Sequence, residues 1–194
     1  MKSTIIKIAA IFLFSPFSQA QTQSDEWNLV ANSQDNYYGV AMANGQIGIV
    51  TDATPLKTKE IILNGVYDGS PENGISRIVR GIEFLNLRLV INGEEVTASN
   101  IDKWEQVVAM KEGTSTTSFR FKDIAAIEYT ILANRALPFS AMAIVKITPL
   151  KDIEMTAANY MTVPEELKQA KRQFRVLKDN QYLMPVFGTT AQTL

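Results

Sequence analysis

An alternation of apolar and polar residues, broken at short intervals by Asn-Gly turns, is the feature that most constrains this sequence. In its clearest stretch, the residues that face one way are Leu85, Leu87, Leu89 and Ile91. Asn86 and Arg88 face the opposite way, and Asn92 with Gly93 then reverses the chain. A period of two is typical of strands with one buried face, and Asn and Gly tolerate the positive φ of a hairpin turn. The sequence therefore predicts a hairpin here and a mainly β chain.

Further short strands are predicted downstream. Residues 104–110 and 116–122 form a second hairpin around a turn at 111–113, with Thr117, Phe119 and Phe121 pointing inward. More strands are expected at residues 127–134, 141–148 and 153–160. Regular short strands of this kind usually close as two packed sheets. The predicted fold class is therefore mainly β, a two-sheet antiparallel sandwich.

One segment departs from this period. Within residues 164–178 the apolar positions Leu167, Ala170, Phe174 and Leu177 recur every three to four residues, the spacing of a helical stripe. Thr162 and Glu165 have the spacing of a capping box. The segment therefore predicts one short helix. Its basic residues are Lys168, Lys171, Arg172, Arg175 and Lys178; they are compatible with a surface for anions, but a solvated face is favoured.

The first twenty residues have the pattern of an export signal. Lys2 and Lys7 supply the positive start, residues 8–14 an apolar stretch, and Ser18 to Ala20 a small-residue cleavage site before Gln21. The apolar stretch is too short to span a bilayer of about 30 Å. We therefore expect a signal peptide at 1–20 and a mature chain at 21–194, periplasmic or extracellular, with no membrane association after cleavage.

Composition excludes several chemistries. The sequence has no histidine and no cysteine, so Ser-His-Asp and Cys-His catalysis and the ordinary zinc sites cannot be assembled. The absence of cysteine also removes the residue that a bacterial lipid anchor needs. The net charge is −1 and becomes more negative once Lys2 and Lys7 are removed, which argues against nucleic acid as a partner. No nucleotide or cofactor fingerprint is present, so no cofactor is expected.

Carboxylates are the conventional catalysts that remain. The adjacent pairs are Asp25 with Glu26, Glu94 with Glu95, and Glu165 with Glu166. Neighbouring residues on a strand point to opposite faces and cannot converge on one reacting atom, so surface charge is the favoured interpretation. Asp52, Asp68 and Glu72 lie in turn-rich sequence and could offer oxygen ligands to calcium, but they lack an alternating ligand loop. We assign no catalytic residue and no metal site.

Aromatic residues are the remaining lead to a ligand. The flat faces of Tyr37, Tyr38, Tyr67 and Trp104 suit the axial hydrogens of sugar rings. Packing in the core or between domains is the alternative, and it is favoured for Trp104. The substrate-binding residues therefore stay unassigned.

Taken together, the turn motifs resemble the N-terminal β domain of glycoside hydrolase family 65, which comprises maltose, trehalose and kojibiose phosphorylases and related hydrolases. The motifs that carry this resemblance are Asn44, Gly45, Gln46, Ile47 and Gly48; Asn64, Gly65, Val66, Tyr67, Asp68 and Gly69; Asn86 to Leu89; Asn92 to Glu94; and Gln106 with Met110 to Gly113. Two later motifs, Leu137 to Ser140 and Val163 to Glu165, are most similar to secreted members of the kojibiose-hydrolase type.

This resemblance implies a galactose-mutarotase-like super-sandwich that packs against an (α/α)6 barrel. In such inverting enzymes the barrel carries the two functional carboxyl groups, and neither maps onto this chain. Residues 21–194 are therefore expected to be an N-terminal β-sandwich domain that ends before its closing strands and before the barrel. This domain alone should be inactive, and carbohydrate should be bound by the barrel.

The expected export favours hydrolysis, because a phosphorylase is useful where phosphate is plentiful and its sugar phosphate is retained. The implied substrates are small α-linked gluco-oligosaccharides such as kojibiose. The alternative is a stand-alone carbohydrate-binding or assembly module without enzymatic activity.

Overall fold

The protein is built from antiparallel β-strands in the part of the chain that the computed structural model describes, residues 26–69, 76–165, 167, 171–177 and 180–186. The predicted signal peptide lies outside these residues. The strands are β1 (Asn28–Ala31), β2 (Ala41–Ala43), β3 (Ile47–Thr51), β4 (Thr58–Gly69), β5 (Ser76–Arg80), β6 (Leu87–Ile91), β7 (Glu94–Glu95), β8 (Ile101–Ala109), β9 (Thr114–Phe121), β10 (Ala125–Ala133), β11 (Ala141–Pro149), β12 (Met155–Asn159), β13 (Lys171–Leu177) and β14 (Asn180–Val186).

The strands form sheets that share one hydrophobic core. A five-stranded sheet has the order β1-β8-β9-β10-β11, a four-stranded sheet β2-β3-β4-β5, and a three-stranded sheet β12-β6-β7, while β13 pairs with β14. Buried side chains from the first three sheets pack together, among them Ile49, Ile61, Leu89, Phe121 and Ile127. The predicted mainly β sandwich is confirmed.

Both predicted hairpins are present. Asn92 and Gly93, with φ of 51° and 79°, connect β6 to β7 and pair Ile91 with Glu94. The second hairpin joins β8 to β9, with Phe119 and Phe121 buried. The strands predicted at 127–134, 141–148 and 153–160 are β10, β11 and β12. The alternation is clearest in β10, which buries one face against the core, whereas β11 is only half-buried on one face and every residue of β12 is exposed.

The helix predicted at 164–178 is wrong over the described part of that segment. Residues Lys171–Leu177 form β13, which pairs in register with β14. The same segment also has a period of two, because Phe174 and Val176 alternate with polar neighbours. Pairing with a second strand favours that period over the helical one. Thr162 does not cap a helix; it pairs with Glu83 through N–H···O bonds of 2.9 and 3.0 Å. No helix capable of crossing a membrane occurs in the described residues.

A buried asparagine joins two distant parts of the chain. Asn86, expected on the polar face, is 1% exposed. Its Oδ1 accepts from the backbone N–H and the hydroxyl of Thr58 at 2.9 and 3.1 Å. Its Nδ2 donates to Glu83 Oε2 and to Thr162 Oγ1, both at 3.1 Å. The side chain therefore connects the start of β4 to the segment before β6 and to Thr162, with each of its polar atoms hydrogen-bonded.

Burial of Tyr129 predicts a loss of stability at alkaline pH. Its hydroxyl donates to the Leu85 carbonyl at 2.8 Å, and burial raises the pKa of this phenol above its ordinary 10.0. Because the folded pKa exceeds the unfolded one, the free energy of unfolding is unaffected by this group at neutral pH. It falls as pH rises beyond about 10.

Tyr129→Phe should therefore reduce the alkaline fall in stability. We expect it to cost about 1 kcal/mol at neutral pH through the lost hydrogen bond, and less than that at about pH 11. Urea unfolding of both proteins at the two pH values measures the difference. An identical alkaline slope in the two proteins would show that Tyr129 is not the titrating group.

Candidate functional site

Two Asn-Gly turns, the motifs that carried the family resemblance, meet at one end of the four-stranded sheet. In the first, Asn44 Oδ1 accepts from the N–H groups of Gln46 and Ile47, both at 3.0 Å, while Gly45 adopts a φ of 89°. This Asx turn starts β3, because Asn satisfies the backbone donors that the reversal leaves free.

The second turn interrupts β4. Pairing between β4 and β5 shifts between Ile62 and Tyr67, and Gly65 within this irregularity has a φ of 81°. Asn64 connects this second turn to the first turn. The Asn64 N–H donates to the Gln46 carbonyl at 2.8 Å, and the Asn64 Nδ2 donates to the Gly45 carbonyl at 3.0 Å. Two motifs almost twenty residues apart thus make one structural unit.

A third segment is tied to this unit. Asn44 Nδ2 donates to the Asn134 carbonyl at the end of β10. Asn134 Nδ2 in turn donates to Ser140 Oγ at 2.9 Å, and Ser140 Oγ donates to the Leu137 carbonyl at 2.7 Å. The loop between β10 and β11 therefore lies next to the turns and carries an exposed Leu137 and Phe139.

A groove of about 230 Å³ opens beside the two turns. Its lining includes Gln46, Gly48, Ile62, Asn64, Tyr67 and Ile78. The other side of β3 is buried through Ile47 and Ile49, so the groove lies on the outer face of this sheet. It combines an exposed aromatic ring, aliphatic walls and two primary amides.

A second cavity, of about 270 Å³, lies near the start of β6, and its lining includes Lys57, Arg88, Glu95 and Tyr160. Arg88 and Glu95 form an ion pair across 2.9 Å, so these two charges are directed at each other. The groove differs from this cavity in presenting the exposed ring of Tyr67 beside the side-chain amides of Gln46 and Asn64.

The candidate sugar-stacking aromatics separate into two groups. Tyr37 and Trp104 pack edge to face with ring centres 5.5 Å apart, and Trp104 is buried, as favoured from the sequence. The Tyr37 hydroxyl bonds to Thr51 Oγ1 and Gln106 Oε1. Burial raises the pKa of the Tyr37 phenol. These two rings are structural.

The remaining two tyrosines are exposed. Tyr38 is 80% exposed, whereas Tyr67 is 57% exposed and lines the groove. Of the four aromatics singled out from the sequence, Tyr67 thus stands where a ligand can contact both its ring and neighbouring polar groups.

Of the candidate carboxylates, Glu94 and Glu95 are engaged with surface partners. Glu94 bonds to Lys122 and accepts from Asn100 Nδ2 at 3.0 Å; the hydrogen bond from Lys122 holds the pKa of Glu94 below its usual value. Its neighbour Glu95 pairs with Arg88. The two adjacent carboxylates thus serve different cations, as expected of surface charge. Glu26 and Glu165 are exposed, while their sequence neighbours Asp25 and Glu166 lie outside the described residues.

Of the candidate calcium ligands, the structure describes the side chain of Asp52. Asp52 Oδ1 accepts from the Thr54 N–H at 2.6 Å and so closes a turn. The Asp68 side chain and Glu72 lie outside the described residues. Among the residues described, no group of three acidic side chains could hold a metal ion.

Four residues of the site were identified from the structure and not as site residues from the sequence: Gln46, Gly48, Ile62 and Ile78. A signal for Gly48 existed: it is flanked by Ile47 and Ile49, so the alternation assigns it to the outer face, where glycine leaves a depression. Ile78 carried no such signal, because its place opposite Tyr67 depends on the irregular pairing of β4 with β5.

Comparison with known proteins agrees with the motifs. A model of the glycosyl hydrolase family 65 N-terminal domain matches residues 39–191. A kojibiose hydrolase of Flavobacterium johnsoniae is 35% identical over 195 residues, covering 100% of this chain and 29% of that protein. One of Mucilaginibacter mallensis is 35% identical over 176 residues, covering 90% of this chain and 26% of that protein. The chain thus spans less than a third of the length of these relatives.

Proposed function

The chain belongs to glycosyl hydrolase family 65, and from this membership we propose that it is the non-catalytic N-terminal sandwich of an exported, inverting glycoside hydrolase. The proposed substrates are small α-linked gluco-oligosaccharides such as kojibiose. The observation that carries this proposal is the alignment of nearly the whole chain with under a third of two relatives named kojibiose hydrolase.

The chemistry of the chain supports a non-catalytic role. Inverting glycosidases need a general acid and a second carboxylate about 6.5–9.5 Å apart, with room for water between them. Glu94 and Glu95, the adjacent pair that the structure describes completely, are bound to Lys122 and Arg88 instead. The sequence has no histidine and no cysteine, so Ser-His-Asp and Cys-His systems cannot be assembled from it either.

The role we propose is that of a scaffold. The hydrophobic core shared by the sheets makes a rigid body on which further polypeptide can pack. The loop carrying Leu137 and Phe139 presents apolar side chains that are 63% and 62% exposed, which suits packing against another part of a longer protein.

Export and hydrolysis are linked in this proposal. Lys2, Lys7 and the apolar stretch that follows form the proposed signal, with cleavage between Ala20 and Gln21. Outside the cytoplasm inorganic phosphate is a poor co-substrate for an enzyme that must keep its product. Water is therefore the favoured acceptor.

The test is an assay of the complete gene product on kojibiose, with and without inorganic phosphate. We expect glucose to be released at the same rate in both conditions and the new reducing end to appear first as the β anomer by NMR. Release that requires phosphate, or retention of the α configuration, would contradict the proposed reaction. A 194-residue gene product that binds sugar without cleaving it would support the stand-alone module, which the groove beside Tyr67 favours.

A further inference from the structure

The outer face of the four-stranded sheet carries an exposed aromatic–aliphatic pair that the core does not use. Tyr67 on β4 and Ile78 on β5 are directly opposite in register, and they are 57% and 60% exposed. Opposed residues of an antiparallel pair have side chains on the same face, close enough to contact. They form one wall of the groove.

The groove is open because its floor contains a glycine. Gly48 pairs with Ile62, and a Cβ built on Gly48 would lie 3.9 Å from the Ile62 Cβ, an ordinary van der Waals distance. The backbone of Gly48 does not need glycine for its conformation, since it is absent from the positive-φ residues. A side chain would therefore fit without strain, and its absence leaves space beside Tyr67.

Two amides stand at the rim. Asn64 uses its Nδ2 on the Gly45 carbonyl, and within the described residues its Oδ1 accepts no hydrogen bond. The side-chain amide of Gln46 likewise makes no hydrogen bond to the part of the chain that the structure describes, although its backbone is held by Asn44 and Asn64. Both amides can therefore donate to or accept from a bound hydroxyl.

We propose that this groove binds a single glucopyranose unit. The Tyr67 ring stacks on the C–H face of the sugar, Ile78 and Ile62 complete the apolar contact, and the amides of Gln46 and Asn64 bond to its hydroxyls. The choice of a glucose-type ring rests on the proposed function, whereas the stacking geometry rests on the groove alone.

The size and composition of the groove favour a sugar over a protein partner. Its volume of about 230 Å³ is below the roughly 300–1,000 Å³ of sites for drug-sized ligands and suits one ring. A stable protein interface needs about 800 Å² on each side, far more than one aromatic ring and its neighbours provide. A flat ring next to unengaged amides matches a ligand with one apolar face and a hydroxyl edge.

The experiment is a titration of the chain with methyl α-glucoside and with kojibiose, followed by NMR shifts or calorimetry. We expect saturable binding on the order of millimolar. Tyr67→Ala should weaken it at least about fivefold, while Tyr67→Phe, which keeps the ring, should retain most of it. The matched control is Tyr38→Ala, which removes a more exposed tyrosine outside the groove and should leave the affinity unchanged.

Gly48→Ala provides the sharpest variant. It places a methyl group on the groove floor, so sugar binding should weaken at least about fivefold while the melting temperature stays equal or rises. The inference would be overturned if the unaltered chain bound no sugar. It would also be overturned if the unaltered chain, Gly48→Ala and Tyr67→Ala bound sugar with equal affinity. Either result would favour a protein contact at this surface. Because these readouts do not depend on cleavage, they are distinct from a failure of the complete gene product to hydrolyse kojibiose.

Discussion

Phe121→Ala is expected to lower the free energy of unfolding by about 3–5 kcal/mol. Phe121 is 1% exposed at the end of β9, where it faces Ile101 of β8 and Ala125 of β10. Removing the ring takes apolar surface out of the shared core and leaves a cavity that flanking strands, fixed by their ladders, cannot close. Urea unfolding monitored by circular dichroism measures the change.

Phe139→Ala is the matched control, because it makes the same chemical change at a ring that is 62% exposed. Phe139 has a φ of 62°, a value equally unfavourable for phenylalanine and alanine, so the substitution does not relieve backbone strain. We expect a change within about 0.5 kcal/mol. A cost at Phe139 equal to that at Phe121 would mean that the core assignment is wrong.

Asn86→Ala is expected to cost about 3 kcal/mol, although it removes no apolar surface. The substitution leaves the Thr58 N–H and hydroxyl without their acceptor, and it deprives Glu83 and Thr162 of a donor. A buried polar group that loses its partner pays its full desolvation penalty. The effect should therefore rival that of a core deletion.

Asn100→Ala separates burial from the number of hydrogen bonds. Asn100 accepts from the Thr97 N–H at 2.8 Å and donates to Glu94 Oε1 and the Glu95 carbonyl at 3.0 and 2.8 Å, so it is almost as richly bonded as Asn86. Its bonds are accessible to water, which can replace them, so we expect a loss below about 1 kcal/mol. Equal losses at the two asparagines would show that burial of Asn86 does not set its contribution.

The strands could be predicted from the sequence wherever one face is buried and the other solvated. In β9 the residues Thr117, Phe119 and Phe121 alternate with outward neighbours, so local pattern and tertiary environment agree. The turn at Asn92 and Gly93 could also be predicted from the sequence, because few other residue pairs accept two successive positive φ values.

The helix was mispredicted at residues 171–177 because the segment contains both periods. Phe174 and Leu177 fit a helical stripe, while Phe174 and Val176 fit a strand, and the choice depends on pairing with residues Asn180–Val186. The burial of Asn86 was not predicted for a related reason. An alternating pattern assigns a face but cannot show that Thr58 and Thr162, from distant parts of the chain, cover that face.

The site could be predicted in part. The two turn motifs and Tyr67 stood out in the sequence because Asn and Gly mark unusual backbone conformations. That the turns dock on each other through Asn64 and Gly45 depends on the register of β3 with β4, which no local pattern specifies. The groove is a consequence of that register.

The measurement that tests the central claim most directly is kojibiose hydrolysis by purified residues 21–194 alone, beside the complete gene product at equal molar concentration. If this chain is a sandwich domain whose catalytic carboxylates lie elsewhere, the complete protein will release glucose and residues 21–194 will release none above the buffer control. Glucose release by residues 21–194 alone would contradict the account.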